Sequence, residues 1–273
     1  MSGKSGRLNR LWRAAMTGVC FALFGAGGLL LSLIWFNLLL LVVRDKTRRK
    51  RLARRSISAS FRLFLAVVKA VGVLDYRIEN ADALREDRGC LVVANHPSLI
   101  DYVMLASIMP ETDCLVKSAL LRNPFVSGVI RAADYLINDR ADILLPASCQ
   151  RVQQGDTILI FPEGTRTVPG EKMTLQRGAA NIAVRCGCDI RIVVIRCTES
   201  MLSKQRKWYD APPTRPRFTV TVGERVSVEA FYPTEEQELA LAARRLNRHL
   251  LLKLQTNTET GIGINDASAS SRN

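Results

Sequence analysis

Hydrophobic and polar positions divide the chain into two textures. Ala14 to Val43 carries no charged side chain over thirty residues. A bilayer is crossed by roughly twenty apolar residues in a helix, so this stretch predicts a membrane helix, long enough to span with tilt. Gly25, Gly27 and Gly28 offer a kink, and with it a second path, a dip into one leaflet and back. A secretory signal has a shorter apolar core and a small-residue cleavage site, which fits poorly. Ser56 to Leu74 reads as a second helix, with Phe61, Phe64, Leu65 and Val68 apolar and Arg62 and Lys69 sharing another side. Such an element lies in the membrane interface or packs on the first helix.

From Tyr76 the period changes. Tyr76–Glu79, Cys90–Ala94, Cys114–Lys117, Tyr135–Ile137, Thr157–Phe161, Ile190–Cys197 and Arg217–Val226 read as strands. Helical patterns fall between them, near 100–109, 125–133, 141–154 and 178–187. This alternation predicts an α/β fold, a mainly parallel sheet covered by helices and preceded by N-terminal membrane helices. Thr234 opens a last helix as its cap, with Gln237 at the capping-box position and Glu235 and Glu236 in the first turn. Leu239, Leu246 and Leu250 give it an apolar face. The sequence past Gln255 holds little that a core could use and predicts a disordered tail. Three regions follow: an anchoring region 1–74, an α/β domain 75–255 and a tail 256–273.

Charge narrows the partners. The formal net charge is +14, which calls for an anionic partner. Arg44, Lys46, Arg48, Arg49, Lys50, Arg51, Arg54 and Arg55 follow the apolar stretch directly, with only Asp45 opposing. Basic residues beside a membrane segment mark the cytoplasmic side, and each adds about 1 kcal/mol of attraction to anionic headgroups. The run 44–55 is therefore expected at a lipid surface, with the catalytic domain on the cytoplasmic side of an inner membrane. It has no aromatic interleaving and belongs to no nucleic-acid-binding module, so no nucleic-acid partner is expected. The seven cysteines are odd in number and several lie in strand patterns. They read as reduced, mostly buried thiols, and Cys186-Gly-Cys188 is not a metal spacing. No metal site is expected.

Candidate chemistry sits at two strand ends. The first is His96, after the run Cys90 to Asn95 and before Pro97, with Asp101 near the start of the next helix. A carboxylate within about one helical turn can fix one ring nitrogen and leave the other to take a proton. The pair is the His–Asp half of a hydrolase triad, but there is no G-x-S-x-G nucleophile elbow. The missing nucleophile could then be a hydroxyl on the substrate, which would make the chemistry group transfer. The second is Pro162-Glu163-Gly164-Thr165-Arg166, at the C-terminal end of the strand Thr157–Phe161, where open α/β sheets place ligands. Gly164 permits close backbone approach, Arg166 presents a fork suited to phosphate, and Glu163 can accept from a hydroxyl.

His96-x4-Asp101 followed by Phe161-Pro-Glu-Gly-Thr-Arg166 resembles the lysophospholipid acyltransferase family, the 1-acylglycerol-3-phosphate acyltransferases and their relatives. The resemblance covers roughly residues 76–226. It implies that His96 is the base on the acceptor hydroxyl, that Asp101 orients it, and that Glu163, Gly164, Thr165 and Arg166 bind a phosphorylated acceptor. It also implies a thioester donor, acyl-CoA or acyl carrier protein, as co-substrate, with no bound cofactor, and membrane lipids as partners. The segment from Lys117 through Pro124 and Gly128 to Asp139-Arg140 resembles the family's second block, which makes Arg140 a further phosphate contact. Two positions depart from the family's pattern. Asp134 stands where many members have glycine, and Arg191 where the late strand usually carries proline. They leave the acceptor open, including a non-glycerolipid in a specialised pathway. Arg177-Gly178 opens a helix that could offer N–H groups to an anion, with a solvated surface as the alternative for Arg177 and Arg191. The rivals to transfer are a thioesterase and a membrane-surface scaffold with a degenerate site. Lys204 to Tyr209 is a basic, aromatic loop that either rests on the interface, contacts a carrier protein or packs on the domain.

Overall fold

The computed structural model describes residues 2–167, 171–232 and 238–259. Its centre is a seven-stranded sheet. The strands are β1 (Asp75–Glu79), β2 (Leu91–Ala94), β3 (Asp113–Lys117), β4 (Leu136–Asn138), β5 (Ile158–Ile160), β6 (Ile190–Cys197) and β7 (Arg217–Val226). Their spatial order is β1-β7-β6-β2-β5-β3-β4. Every pair is parallel except β6 with β7. β2 and β5, the strands that carry the two motifs, are neighbours near the middle, with Leu91 opposite Ile158. Both are buried throughout, as strands covered on two faces must be. All seven expected strands are present.

Helices cover both faces. α1 (Ser2–Leu30) passes through a π-helical turn at Leu31–Trp35 into α2 (Phe36–Val42). It is followed by α3 (Lys46–Ala70), α4 (Ala81–Glu86), α5 (Asp101–Ile108), α6 (Pro124–Ala133), α7 (Ala141–Gln153), α8 (Gly178–Cys186) and α9 (Leu239–Glu259). α8 and α9 pack Ala179, Ala183, Ala243, Leu246 and Leu250 on one sheet face. α3 and α5 pack Leu65, Val68, Met104 and Leu105 on the other. Among the described residues one helix, Arg7–Val42, is long and apolar enough to cross a membrane.

Several expectations are corrected. The glycines at 25, 27 and 28 do not kink α1; the irregularity falls at Leu31–Trp35, where Asn37 Nδ2 donates to the carbonyls of Ser32 and Leu33. Gly28 instead lets α6 approach, because a Cβ there would meet Phe125 O at 2.6 Å, and a Cβ on Gly128 would meet Ser32 Cβ at 2.5 Å. The second helix begins ten residues before the expected Ser56 and takes in most of the basic run. This helix is α3, capped by Asp45, whose carboxylate accepts from Arg48 N at 2.5 Å. The basic run is not opposed by Asp45 alone. Arg54 is buried and pairs with buried Asp113 at 2.6 Å, Lys50 with Asp156 at 2.9 Å, and Arg55 with Glu111. These acids lie 56 to 106 residues away in sequence, which is why the run looked unopposed. The cysteines are not all reduced: α7 and α8 pack together, bring Cys149 and Cys186 to 4.9 Å between Cα atoms, and a disulfide joins them. α9 runs past Gln255 to Glu259. The Thr234 cap, with Glu235, Glu236 and Gln237, and the tail from 260 lie outside the described residues.

Candidate active site

β2 ends at Ala94, and Asn95 extends its pairing with a side chain. Asn95 Nδ2 donates to Ile195 O at 2.8 Å, and Ile195 N donates to Asn95 Oδ1 at 2.6 Å. The amide replaces the next rung of the ladder and frees the backbone to turn. Residues 97–100 form that turn, and α5 begins at Asp101, within the stretch 100–109 expected to be helical. Asp101 is fully buried, and its Oδ2 lies 2.9 Å from His96 Nδ1 and accepts from Ser98 N at 2.7 Å. Burial pushes the Asp101 carboxyl above its ordinary range, and the His96 contact and the Ser98 N–H oppose that rise. With Nδ1–H directed at the carboxylate, Nε2 carries the free lone pair. The His96 side chain is 20% exposed, enough for one reactant to reach it.

The segment after β5 braces this histidine. Phe161 stacks on the imidazole at 4.3 Å. Glu163 Oε1 accepts from His96 N at 2.7 Å, and Thr167 N donates to His96 O at 3.0 Å. The backbone N–H of His96 is thus held by the second motif and its carbonyl by Thr167, the residue after it. The turn depends on Gly164, which has φ +68° and whose N–H donates to Phe161 O. Glu163 is buried, and burial pushes its carboxyl up to about 6, against the stabilising His96 N–H. Gly164 and Thr165 are exposed at the sheet edge. Arg166 is half-buried, and its Nη1 donates to Leu202 O at 2.7 Å. That uses one of five guanidinium donors.

The structure brings His96, Asp101, Glu163, Gly164, Thr165 and Arg166 to one edge of the sheet. It does not bring Arg140 to the dyad. Arg140 precedes α7 beyond the edge strand β4, three strands from β2, and is exposed with its fork on Asp142 at 2.7 Å. The two departing residues have structural partners elsewhere. Asp134 holds φ +53° at the end of α6, a backbone that favours glycine, and pairs with Arg151. Arg191 sits near the start of β6, away from the site, with its fork on buried Asp87 at 2.7 and 2.8 Å; it is neither solvated nor at the acceptor. Arg177 is exposed ahead of α8. Lys204 to Tyr209 is exposed throughout, and one side of Trp208 lies against Gly18 and edge-on to Phe21 of α1. Asn95 beside the first motif, Ser98 inside it and Phe161 at the head of the second complete the site with Met201 and Leu202, which carried no sequence signal.

A family model described as Acyltransferase matches residues 75–197. A 1-acyl-sn-glycerol-3-phosphate acyltransferase of Helicobacter pylori is 28% identical over 216 residues, covering 76% of this chain and 81% of its own. The human 1-acyl-sn-glycerol-3-phosphate acyltransferase beta is 24% identical over 196 residues, 69% of each chain. The crystal structure of the 1-acyl-sn-glycerophosphate acyltransferase of Thermotoga maritima superposes with a TM-score of 0.69 at 20% identity, covering 92% of this chain and 98% of that one, and so shares the fold. The two motifs meet at one sheet edge inside the matched region, and the chain carries an acyltransferase domain similar to those of the 1-acyl-sn-glycerol-3-phosphate acyltransferases.

Proposed function

We propose that this chain moves a fatty acyl group from a thioester, acyl-CoA or acyl carrier protein, to the hydroxyl of 1-acylglycerol-3-phosphate or a closely related lysophospholipid at a membrane surface. The observation that carries the reading is the His96–Asp101 pair, with Nδ1 fixed at 2.9 Å and the ring one-fifth exposed. Nε2 takes the hydroxyl proton as the acceptor oxygen attacks the thioester carbonyl. Asp101 stabilises the imidazolium so formed. The tetrahedral intermediate collapses, the C–S bond breaks, and the imidazolium returns the proton to the thiolate. No acyl-enzyme, metal or resident cofactor enters the sequence.

Arg166, Thr165 and the backbone of Gly164 are the groups assigned to the acceptor phosphate, since they stand exposed or half-exposed beside the dyad. Glu163 acts on His96 instead of the acceptor, because its carboxylate is buried on the histidine N–H. Arg140 is a weaker phosphate contact, since it must first leave Asp142. The outward face of α1 and α2, with Leu23, Leu30, Leu33, Leu40 and Leu41, is the surface assigned to lipid. Of the basic run, Arg44, Lys46 and Arg48 are exposed and remain for anionic headgroups.

Membranes carrying the protein, given labelled acyl-CoA or labelled acyl carrier protein with lysophosphatidate, test the reading. Label is expected in phosphatidate, and His96→Ala is expected to lower its rate by about 10²–10⁴-fold. Label in a different lipid that still depends on His96 would move the acceptor; label independent of His96 would remove the mechanism.

A further inference from the structure

The connection between β6 and β7 touches both the site and the anchoring helix. At its inner end two successive carbonyls collect three hydrogen bonds: Ser98 Oγ donates to Met201 O at 3.0 Å, Leu99 N to Leu202 O at 3.2 Å, and Arg166 Nη1 to Leu202 O at 2.7 Å. Ser98 is the residue whose backbone N–H also holds Asp101 Oδ2. Leu202 is in the left-handed region, φ +54°, a backbone that a branched side chain adopts only when its surroundings impose it. Met201 is buried and Leu202 partly buried in the core beneath. At its outer end the same connection grips α1. Trp208 lies on Gly18, Arg10 Nε donates to Ala211 O at 2.8 Å, and buried Arg13 donates from Nη2 to Pro212 O at 2.7 Å and Pro213 O at 2.6 Å. The base is tied by Thr198 N to Arg217 O and Arg217 N to Thr198 Oγ1. Between these ends the segment is also fixed by Arg215 Nη2, which donates to Lys69 O at 2.7 Å and Leu74 O at 2.8 Å, and by Gln205 Nε2, which donates to Glu171 Oε1 at 2.8 Å.

We propose that residues 198–216 are a strap that couples the seating of α1 to the position of the dyad turn and of Arg166. Arg13 and Trp208 are then positioning residues for a reaction they never touch, acting through Leu202 and Ser98. The inference rests on the acyl-transfer reading for its function, and on the geometry alone for the coupling.

A double-mutant cycle tests it, with Trp208→Ala at the α1 end and Ser98→Ala at the site end. Distant sites that act independently multiply their effects to within about twofold. Each single variant is expected to lower kcat/KM by about five- to tenfold, a loss of the size seen when one positioning contact is removed. The double variant is expected to fall no more than about twofold below the worse single, because either change already breaks the strap. Losses that multiply would overturn the proposal. Thermal melts accompany each variant, and Arg13→Gln replaces Trp208→Ala if that protein does not fold. The same cycle is read on the rate at which diethyl pyrocarbonate acylates His96, in a His249→Gln background that leaves a single histidine. Non-additive rates there, with no phosphatidate formed by the unaltered protein, would keep the strap and remove the acceptor reading. Additive rates there would overturn the strap whatever the acceptor.

Discussion

Glu163 is buried and braces the backbone of His96. Its carboxyl is pushed from an ordinary 4.5 up to about 6 by burial, so the folded chain binds that proton more tightly than the unfolded chain does. Its contribution favours folding below about pH 4.5 and is lost as pH rises through 6, a change of about 2 kcal/mol. Glu163→Gln keeps an acceptor for His96 N and removes the titration. Against the parent, the variant is expected to gain about 2 kcal/mol of relative stability between pH 4 and pH 7, measured by denaturant unfolding in detergent at both values. A difference that stays flat with pH would show that Glu163 is not the buried group described. The site's legibility follows the same distances. His96 and Asp101 are five apart, so one strand end and one helix start contain both. The brace from Glu163 crosses 67 residues and could be guessed only from the motif. The Leu202 carbonyl, a backbone group on an apolar residue, has no side-chain chemistry to announce it.

At the scale of elements, hydrophobic period was enough for the sheet, because each strand is a short apolar run between polar turns. It failed where pairing partners are remote. The basic half of α3 looks like solvated charge, yet Arg54 ends beside Asp113 with both side chains nearly inaccessible; burying such a pair depends on geometry that no local pattern carries. Cys149 and Cys186 were likewise invisible as partners, since each lies on a different helix. The glycines of α1 were read as a kink; Gly25 and Gly28 serve instead as a contact surface for Phe125, and Gly128 of α6 does the same for Ser32. That role makes a prediction. Gly128→Ala places a methyl 2.5 Å from Ser32 Cβ. Overpacking of this kind costs about 1–3 kcal/mol, and the better helix propensity of alanine returns about 1 kcal/mol. A lowered melting temperature is expected for Gly128→Ala, with most of the loss restored when Ser32→Gly is added. If Ser32→Gly only adds its own cost, the two helices are not in tight contact.

For the whole molecule, the question left by the sequence was whether residues 14–43 cross the membrane or return. α1 touches the connection before β7 at Arg13 and Gly18, α3 at Phe24 on Phe61 and Phe64, and α6 at Gly28; the π-helical turn meets α6 at Ser32, and α2 continues with Phe36 and Leu39 against Ala53 and Ile57 of α3. Contact therefore runs along roughly 40 Å of helix, at about 1.5 Å per residue. A helix standing across the hydrocarbon could not keep those contacts, because the domain beside it would have to enter the bilayer, with Arg54, Asp113 and their neighbours. The opposite face of the helix is exposed and apolar, as an element lying in the interface requires. Both ends of the apolar stretch should then face the same compartment. Cysteines placed singly at Asn9 and Arg44, both exposed, in a background without the native cysteines, would be labelled by a membrane-impermeant maleimide from one side only, the same side for both. Labelling from opposite sides would mean that the helix spans, and that α1 has left the domain to do so. In that case the strap could not join α1 to the site in the membrane-bound protein, so this one labelling experiment also bears on how the catalytic edge is held.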